Sequence, residues 1–373
     1  MEGRVEMASR KYIDRSKVAT LPLKERGNRV AIERDKVSPG DPRAPLSAET
    51  AAVVDATARA FVSARERGAS RMMAFGAHAI KNGLGPVLIK LMEDGWLTHL
   101  ATNGAGIIHD WEIAFQGETS EDVRTNVAEG RFGNWEETGF FINLALNLGA
   151  WLELGYGEAV GEMVEVERLT LPERGELLDA CANAAAEPAR AAAAADLFDM
   201  MERFDLTPGG MPVPHPFKQY SAQAAAARLG IPFTGHPMFG HDIIYNHPMS
   251  NGAAIGRCAE RDFLAFANGV ANLDGGVYLS IGSAVMSPMI FEKSLSMARN
   301  ILSREGRSIE RFLIAVVDLQ KSTWDWSKGE PPPESPDYYL RFNKTFARMG
   351  GERLYASSDN RNFLLALLER LDA

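Results

Sequence analysis

The feature that most constrains the fold is a repeated alternation of short apolar segments with longer helical patterns. The apolar runs predict strands at 71–75, 97–102, 231–234, 276–281, 312–317 and 352–356. Helical patterns intervene or follow at 83–93, 107–115, 253–271, 288–303, 337–349 and 360–371. Such alternation is typical of a parallel sheet covered by helices on both faces. We therefore expect an α/β fold with a doubly wound, mainly parallel, Rossmann-like sheet of five or six strands.

The same pattern suggests how the chain is divided. Residues 1–46 carry four prolines and many charges, which predicts an extended N-terminal arm. A helix is expected from Ser47, a good N-cap, to Arg67, before Gly68. The stretch 121–208 is almost wholly helical and includes an alanine-rich run, so we expect a helical insertion in a single domain over 47–373.

Bulk charge excludes several classes of partner. The net charge is -9 and the isoelectric point is near 5.4, so neither nucleic acid nor an anionic membrane would attract this surface. The most apolar stretch, 139–155, is interrupted by polar residues and is too short to span a bilayer. We expect a small-molecule substrate and a homo-oligomer, either a dimer or a tetramer.

Cysteine content and the first residues bear on location. Only Cys181 and Cys258 occur, which is too few for a disulfide framework and fits a reducing compartment. The first twenty residues are rich in charge and contain no apolar segment of signal-peptide type. The expectation is a cytoplasmic protein.

Small and polar residues follow several predicted strands. The strand at 97–102 runs through Asn103-Gly104-Ala105-Gly106 directly into a helix, where free backbone N–H groups favour phosphate. A tight turn without ligand is the competing interpretation. Similar residues follow other strands at 76–78, 282–283 and 357–359, and parallel strand ends face one side, where α/β folds bind ligands. His109, Asp110 and Glu112 come just after the turn, either to contact the ligand or to cap the helix.

A second polar cluster spans 235–247 and contains three of the seven histidines. His236, His241, Asp242 and His247 offer acid–base groups near neutrality or metal ligands. No strong zinc motif is present, so an active-site loop without metal, a metal site and structurally satisfied histidines all remain open.

A third segment combines aromatic residues with carboxylates. Trp324 and Asp325 precede three consecutive prolines, and the next predicted helix carries Phe342 and Lys344. Aromatic faces beside carboxylates suit a ligand that bears an amine. Lys344 by itself would be an ordinary solvated helix lysine.

Taken together, these segments resemble deoxyhypusine synthase and homospermidine synthase. The stretches 76–84, 102–106, 235–243, 336–344 and 355–359 look like that family's cofactor and substrate motifs, in the same order. Lys344 falls on the family's imine-forming lysine and Asp242 on an acidic position that contacts the polyamine. The run 103–112 is also similar to a motif of NAD-dependent ornithine cyclodeaminases. Tyr338, Phe342 and the stretch 281–288 depart from the family pattern, which weakens spermidine as the substrate.

The resemblance implies an NAD-dependent enzyme that oxidises a small amine or amino acid transiently to an imine, for aminoalkyl transfer or deamination. The implied catalytic residues are Lys344, His241, His109 and Asp242. The implied cofactor-binding residues are Gly76, Ala77, His78, Thr102, Asn103, Gly104, Ala105, Gly106, Asp110, Gly282, Ser283, Ser358 and Asp359. The implied substrate-binding residues are His236, His247, Trp324, Asp325 and Phe342, with Asp325 or Glu330 holding the substrate ammonium and no metal. The alternatives are a metal-dependent hydrolase or lyase that uses 236–247, and a non-catalytic nucleotide-binding protein.

Overall fold

The computed structural model describes residues 11–373, apart from the side chains of Ser327 and Arg341. The strands are β1 Asn28–Ala31, β2 Arg71–Phe75, β3 His99–Asn103, β4 Glu118–Glu121, β5 Arg168–Leu171, β6 Gly209–Pro212, β7 Phe233–His236, β8 Val277–Ile281, β9 Leu313–Asp318 and β10 Glu352–Ser357. The helices are α1 Ile32–Asp35, α2 Ala48–Glu66, α3 His78–Lys81, α4 Gly85–Glu93, α5 Gly104–Gln116, α6 Val123–Ala128, α7 Glu136–Leu152, α8 Tyr156–Val166, α9 Arg174–Ala182, α10 Pro188–Arg203, α11 Ala222–Leu229, α12 Gly252–Ala271, α13 Met286–Ser303, α14 Arg341–Ala347 and α15 Asn360–Leu371. Short 3-10 helices lie at Arg15–Lys17, Leu23–Glu25, Lys218–Tyr220, Ile243–Asn246, Trp326–Lys328 and Pro336–Tyr339.

Six strands form one parallel sheet in the order β10-β9-β8-β2-β3-β7. All six are the strands predicted from the apolar runs, so the doubly wound α/β prediction is confirmed. Numbered along the chain and read from β7, the six strands follow the order 3-2-1-4-5-6, which is that of dinucleotide-binding folds. The order reverses between β2 and β8, and this boundary is the topological switch point of the sheet.

Strand alternation divides the core between the two faces of the sheet. On β2, Met73 and Phe75 belong to one apolar cluster and Met72 and Ala74 to the other, as the two-residue period of a strand requires. The first cluster is covered by helices that include α2, α4, α5 and α15, and the second by α12 and α13. Because both faces are covered, β2 is buried along its whole length.

The stretch 121–208 forms α6–α10 together with one strand that was not predicted. That strand, β5, pairs antiparallel with β6. Helix α7 lies inside this part of the molecule, and most of its residues are buried. No helix within residues 11–373 is both long enough and apolar enough to cross a membrane.

The predicted arm is fastened to the domain over its described part. Residues 28–31 form β1, which pairs with β4, and α1 follows at once. Leu23, Ile32 and Val37 are each 1% exposed and belong to the main core. The part from Leu23 to Val37 is therefore held by burial as well as by pairing, whereas residues 1–10 of the predicted arm lie outside the described chain.

Candidate functional site

The carboxyl ends of β2 and β8 meet at the switch point without side chains between them. Gly76 donates its backbone N–H to the Ile281 carbonyl at 3.1 Å. A Cβ on Gly76 would lie 2.3 Å from the Gly282 carbonyl oxygen, and Gly282 has a φ of +54°. Glycine suits both positions, and the two strand ends therefore approach each other through their backbones. Open α/β sheets bind ligands in the crevice at such a point.

The residues that follow the strand ends differ in exposure and in hydrogen bonding. His78 is exposed, whereas Ala77 is buried. The Ser283 hydroxyl accepts a hydrogen bond from the Ser287 backbone N–H at 3.2 Å. At the end of β10, Ser358 donates its N–H to the Asp318 carbonyl and the Asp359 carboxylate caps α15.

The glycine-rich turn before α5 is explained by packing inside the chain. The Asn103 side chain accepts from the Gly106 N–H at 2.9 Å and caps the helix. The Thr102 hydroxyl donates to the Phe75 carbonyl at 2.9 Å, and a Cβ on Gly106 would meet that hydroxyl.

The start of α5 is covered by a carboxylate of the same chain. A Cβ on Gly104 would lie 2.1 Å from Oδ2 of Asp242. A carboxylate at a helix N-terminus is electrostatically favourable. Asp242 therefore occupies the place where the sequence predicted a phosphate.

Asp110, predicted as a ribose contact, holds another helix. Its carboxylate accepts from the Ala222 and Gln223 backbone N–H groups at 2.9 and 3.2 Å and from the Ser221 hydroxyl. The Gln223 side-chain amide donates to it as well, at 2.9 Å. These four bonds fix the start of α11. The carboxylate is 1% exposed and does not line the cavity beside α5.

A cavity of about 170 Å³ lies beside the first turns of α5. Its walls bring together four residues of the predicted site, Ala105, His109, His241 and Asp242, with residues that were not assigned to it. The additional lining residues are Arg26, Lys81, Ile108, Glu112, Ser120, Glu121, Val123, Phe132 and Ile243. The lining therefore contains both cationic and anionic side chains, which suits a ligand that carries both charges.

A buried ion pair forms one wall of this cavity. Both guanidinium ends of Arg26 donate to the Glu112 carboxylate at 2.7 Å, and each side chain is 1% exposed. Thr119 and Thr138 donate to the same carboxylate at 2.5 and 3.0 Å. Burial raises the pKa of Glu112, but the Arg26 charge and the hydrogen bonds outweigh it and hold this pKa below its usual value.

The hydrogen-bond chain at Glu112 sets the tautomer of His109. Nδ1 of His109 lies 2.7 Å from the Thr119 hydroxyl, whose single proton is donated to Glu112. The Thr119 oxygen must then accept from Nδ1, which leaves Nε2 as a lone-pair acceptor. Burial lowers the pKa of His109 to about 4, so the ring is neutral at pH 7. No hydrogen-bond partner of Nε2 occurs among residues 11–373.

Two other lining groups are available to a ligand. Burial raises the pKa of Asp242 to about 7, which places its proton exchange near neutrality. Lys81 is half-buried and makes no hydrogen bond or ion pair within the described chain. His241 is exposed at the cavity rim.

His236 and His247 are held by other partners. Nε2 of His236 lies 3.0 Å from the Thr234 hydroxyl, which also contacts His99. Nδ1 of His247 accepts from the Met249 N–H at 3.1 Å, and its Nε2 lies 3.4 Å from Glu136. Burial lowers the pKa of His236 to about 3 and also lowers that of His247. Between Lys11 and Ala373, no three His, Cys, Asp or Glu side chains are placed to hold a metal ion.

The predicted site residues of the third segment, 324–344, lie in a separate cluster. Nζ of Lys344 sits 3.3 Å from the Tyr338 ring centroid and 3.9 Å from Glu330, whose carboxylate also pairs with Arg348. None of these side chains lines the cavity beside α5.

The other predicted residues of the third segment also make their contacts within this cluster. Trp324 donates to the Gly329 carbonyl at 3.0 Å, and Asp325 lies 3.5 Å from Lys328. Phe342 is buried against Tyr355. The structure therefore does not bring Lys344, Trp324, Asp325 or Phe342 to the same cavity as His109 and Asp242.

Sequence reasoning missed Arg26, Lys81 and Thr119. Arg26 lay in the predicted arm, and Thr119 follows α5 with no motif around it. The one available signal was Glu112, because a carboxylate on the buried face of a helix requires a partner. Its partner is 86 residues away, and no local pattern indicates it.

Comparisons with known proteins give likeness in structure alone. No family model matches the chain, and no curated protein matches it. A conserved LOR/SDH protein from Methanococcus maripaludis S2 is 13% identical, with a TM-score of 0.42, over 91% of this chain and 72% of that one.

Two further solved structures show the same level of likeness. AgrE, solved as a ternary complex with ornithine and NAD+, and ArgZ, an arginine dihydrolase from the ornithine–ammonia cycle in Cyanobacteria, are each 12% identical with a TM-score of 0.42. The matched region covers 88% of this chain for AgrE and 86% for ArgZ, but it covers only 34% of AgrE and 32% of ArgZ. The resemblance to deoxyhypusine synthase stays a prediction from motifs.

Proposed function

We propose that this chain is an NAD-dependent enzyme that acts on a small amine or amino acid through transient oxidation to an imine. The single observation that carries the proposal is the reversal of strand order between β2 and β8, where two glycine-ended strands approach each other through their backbones. Because the Gly76 and Gly282 N–H groups already donate to the Ile281 and Val317 carbonyls, a pyrophosphate would bind the N–H groups of the residues that follow them. In this proposal the cofactor site is at Gly76–His78 and Gly282–Ser283, rather than at the α5 turn that Asp242 already covers.

The residues present fit a dinucleotide at this crevice. A Cβ on Gly76 would collide with the end of β8, a Cβ on Gly282 would lie 2.7 Å from the Asn360 side chain, and His78 at the rim is exposed. NAD, when bound, supplies a hydride acceptor for the carbon that bears the substrate amine. β2 and β3 are neighbours in the sheet, so the cavity beside α5 lies next to this crevice.

The cavity residues provide the remaining functions. Lys81 has no hydrogen-bond or ion-pair partner among residues 11–373 and attracts a substrate carboxylate. The Nε2 lone pair of His109 accepts a proton, and its orientation is fixed by Thr119 and Glu112. Asp242, whose pKa is raised by burial to about 7, holds or releases a proton near neutrality. Transfer of an aminoalkyl group and loss of ammonia both begin with substrate binding and proton transfer by these residues. The choice between the two reactions depends on the second substrate.

Titration calorimetry with NAD+ tests the cofactor site. His78→Glu adds a negative charge at the crevice rim and should weaken NAD+ binding by about tenfold through repulsion of the pyrophosphate. The matched control is Asn300→Glu, the same added charge at an exposed position of α13, which should bind NAD+ as the wild type does. Equal NAD+ affinities of His78→Glu and Asn300→Glu would contradict the placement of the cofactor site.

Catalysis is tested on the NAD-loaded protein by mixing it rapidly with 1,4-diaminobutane, L-ornithine or L-lysine. Transient reduction of the cofactor, seen by absorbance, is expected with at least one of them. Tight NAD binding without any transient and without any amine-derived product would favour the non-catalytic alternative.

A further inference from the structure

A groove lies along β7, the strand at one edge of the central sheet. Its volume of about 540 Å³ falls within the range of about 300–1,000 Å³ that is usual for binding pockets. The lining comes from α8, α11, α12, β7 and the turn before β7. Among the residues that the structure describes, this β7 groove shares none with the cavity beside α5, so it is separate from the proposed substrate site.

The β7 groove is acidic. Glu158, Glu162, Glu165 and Asp262 line it, whereas no Lys, Arg or His of residues 11–373 does. Burial raises the pKa of Asp262 to about 8, so the negative charge near pH 7 belongs to the glutamates. Glu165 lies 3.5 Å from Arg228, but Glu158 and Glu162 have no ion pair within the described chain. Two carboxylates of the groove therefore lack a countercharge.

Apolar side chains and an acceptor without a partner complete the lining. Residues 231–233 line the groove together with Val166, which is half exposed. Gln223 also lines it and is fully buried. Nε2 of Gln223 donates to the Ile107 carbonyl and to Asp110, so its Oε1 is turned away from α5, and this oxygen has no partner in the described chain. Such a lining favours an occupant with apolar side chains, hydrogen-bond donors and positive charge.

A segment of the same chain has the complementary composition. Tyr12 and Ile13 are 84% and 91% exposed, the two highest values among the large apolar side chains of residues 11–373. Lys11 is exposed beside them and has no ion pair within those residues, and Arg10 precedes it in the sequence. Arg15 fastens the chain just after this segment by donating to two carbonyls of the loop before α12. Adjacent apolar side chains at such exposure are stabilised by a partner that removes them from water.

We propose that residues 11–13 of one copy of this chain bind in the β7 groove of a second copy. Tyr12 and Ile13 cover the apolar lining, and the Lys11 ammonium lies beside Glu162. The occupant is a second copy because the segment is exposed, outside the groove of its own chain. Reciprocal exchange of the two segments across a two-fold axis closes a dimer in which each groove is filled once. The inference does not depend on the cofactor or on any catalytic role.

Sedimentation equilibrium of the full chain measures the dimer dissociation constant and tests the apolar part of the contact. Tyr12→Ser/Ile13→Ser should raise this constant by about a hundredfold or more, because two large apolar side chains are lost from each of two grooves. Both positions are exposed in the single chain, so the variant should keep the melting temperature of the monomer. The matched control is Leu178→Ser/Ile301→Ser, which removes two exposed apolar side chains elsewhere and should dimerise as the wild type does.

A charge exchange tests the polar part of the contact. Lys11→Glu and Glu162→Lys should each raise the dissociation constant by about tenfold, because each places like charges together. Lys11→Glu/Glu162→Lys in one chain restores opposite charges at the contact and should recover most of the affinity. Glu176→Lys, at an exposed position of α9, is the matched control for the charge reversal and should have no effect.

The outcomes decide between occupants. A dimer that the segment and groove variants weaken, with recovery in the charge exchange, supports the contact. A dimer that tolerates Tyr12→Ser/Ile13→Ser or Glu162→Lys would overturn it, because its interface would lie elsewhere. A monomeric wild type would overturn it as well and would leave the groove to a small organic cation or to a basic segment of another protein. None of these results bears on the NAD+ titration, so the two proposals fail separately.

Discussion

Replacing Arg26 by methionine should be among the most destabilising changes in the N-terminal segment. Arg26 and Glu112 are both 1% exposed and make two hydrogen bonds of 2.7 Å. Removing the guanidinium leaves a buried carboxylate with only two threonine hydroxyls. Breaking a buried pair from one side costs about 3–5 kcal/mol. We therefore expect Arg26→Met to lower the free energy of unfolding by about that amount, measured by urea denaturation followed by tryptophan fluorescence.

Two variants show whether the unpaired charge is the cause. In Arg26→Met/Glu112→Gln the amide keeps an acceptor for the threonines without the charge, so more than half of the loss should be recovered. Arg29→Met is the matched control, because Arg29 pairs with Asp122 on the surface, and it should change the stability little. An Arg26→Met variant as stable as Arg29→Met would refute the reasoning.

The pH dependence of the free energy of unfolding tests independently whether the Glu112 charge stabilises or destabilises the folded state. In the wild type the folded-state pKa of Glu112 lies below its reference value of 4.5, so the stability it contributes is present above 4.5 and is lost as the pH falls through the folded value. Without Arg26, burial outweighs the two remaining threonine hydrogen bonds, so the folded-state pKa of Glu112 should lie above 4.5 and stability should fall as the pH rises through it. The gap between the two free energies should widen from pH 4 to pH 7, and a constant gap would contradict this assignment.

Three other expectations concern single side chains. Asp110→Asn should lower the free energy of unfolding by about 2 kcal/mol, because the amide NH₂ of asparagine would face the donor groups at the start of α11. It should leave the NAD+ affinity measured by calorimetry unchanged. A loss of NAD+ affinity without a loss of stability would instead support the predicted contact of Asp110 with the cofactor. Nitrogen-15 NMR of His109 should show a neutral ring with Nδ1 protonated at pH 6–7 and a mixture of tautomers in Thr119→Val, and a protonated ring at pH 6 would contradict the burial argument. Cys258 is fully buried and its thiol pKa is raised to about 12 by burial, so a disulfide reagent should label Cys181 alone until urea is added, and two rapidly labelled thiols would be inconsistent with the packing.

The strands of the central sheet could be predicted because each is a short apolar run bounded by residues that end it. β2 and β8 stop at glycines, and the parallel arrangement follows from the helices between strands. The short ribbons β1–β4 and β5–β6 were missed because strands of four residues are too short to show a clear alternation. The helix predicted over 337–349 is split at Leu340, where a proline-initiated 3-10 helix ends before α14 begins.

The candidate site was only partly predictable. His109, His241 and Asp242 follow neighbouring strands of a parallel sheet and line one cavity, and their roles stay predictions. The sequence could not show that Asp242 folds back onto the start of α5, because that contact depends on the path of a loop more than 130 residues later in the chain. It also could not distinguish Asp110, engaged by α11, from His109, which faces the cavity one residue earlier.

The most direct test of the central claim is a mass spectrum of the small molecules released from freshly purified protein, followed by NAD+ titration of the stripped chain. The account predicts a dinucleotide in the released fraction and saturable NAD+ binding that His78→Glu weakens. A released fraction without dinucleotide, together with no heat of NAD+ binding, would contradict it.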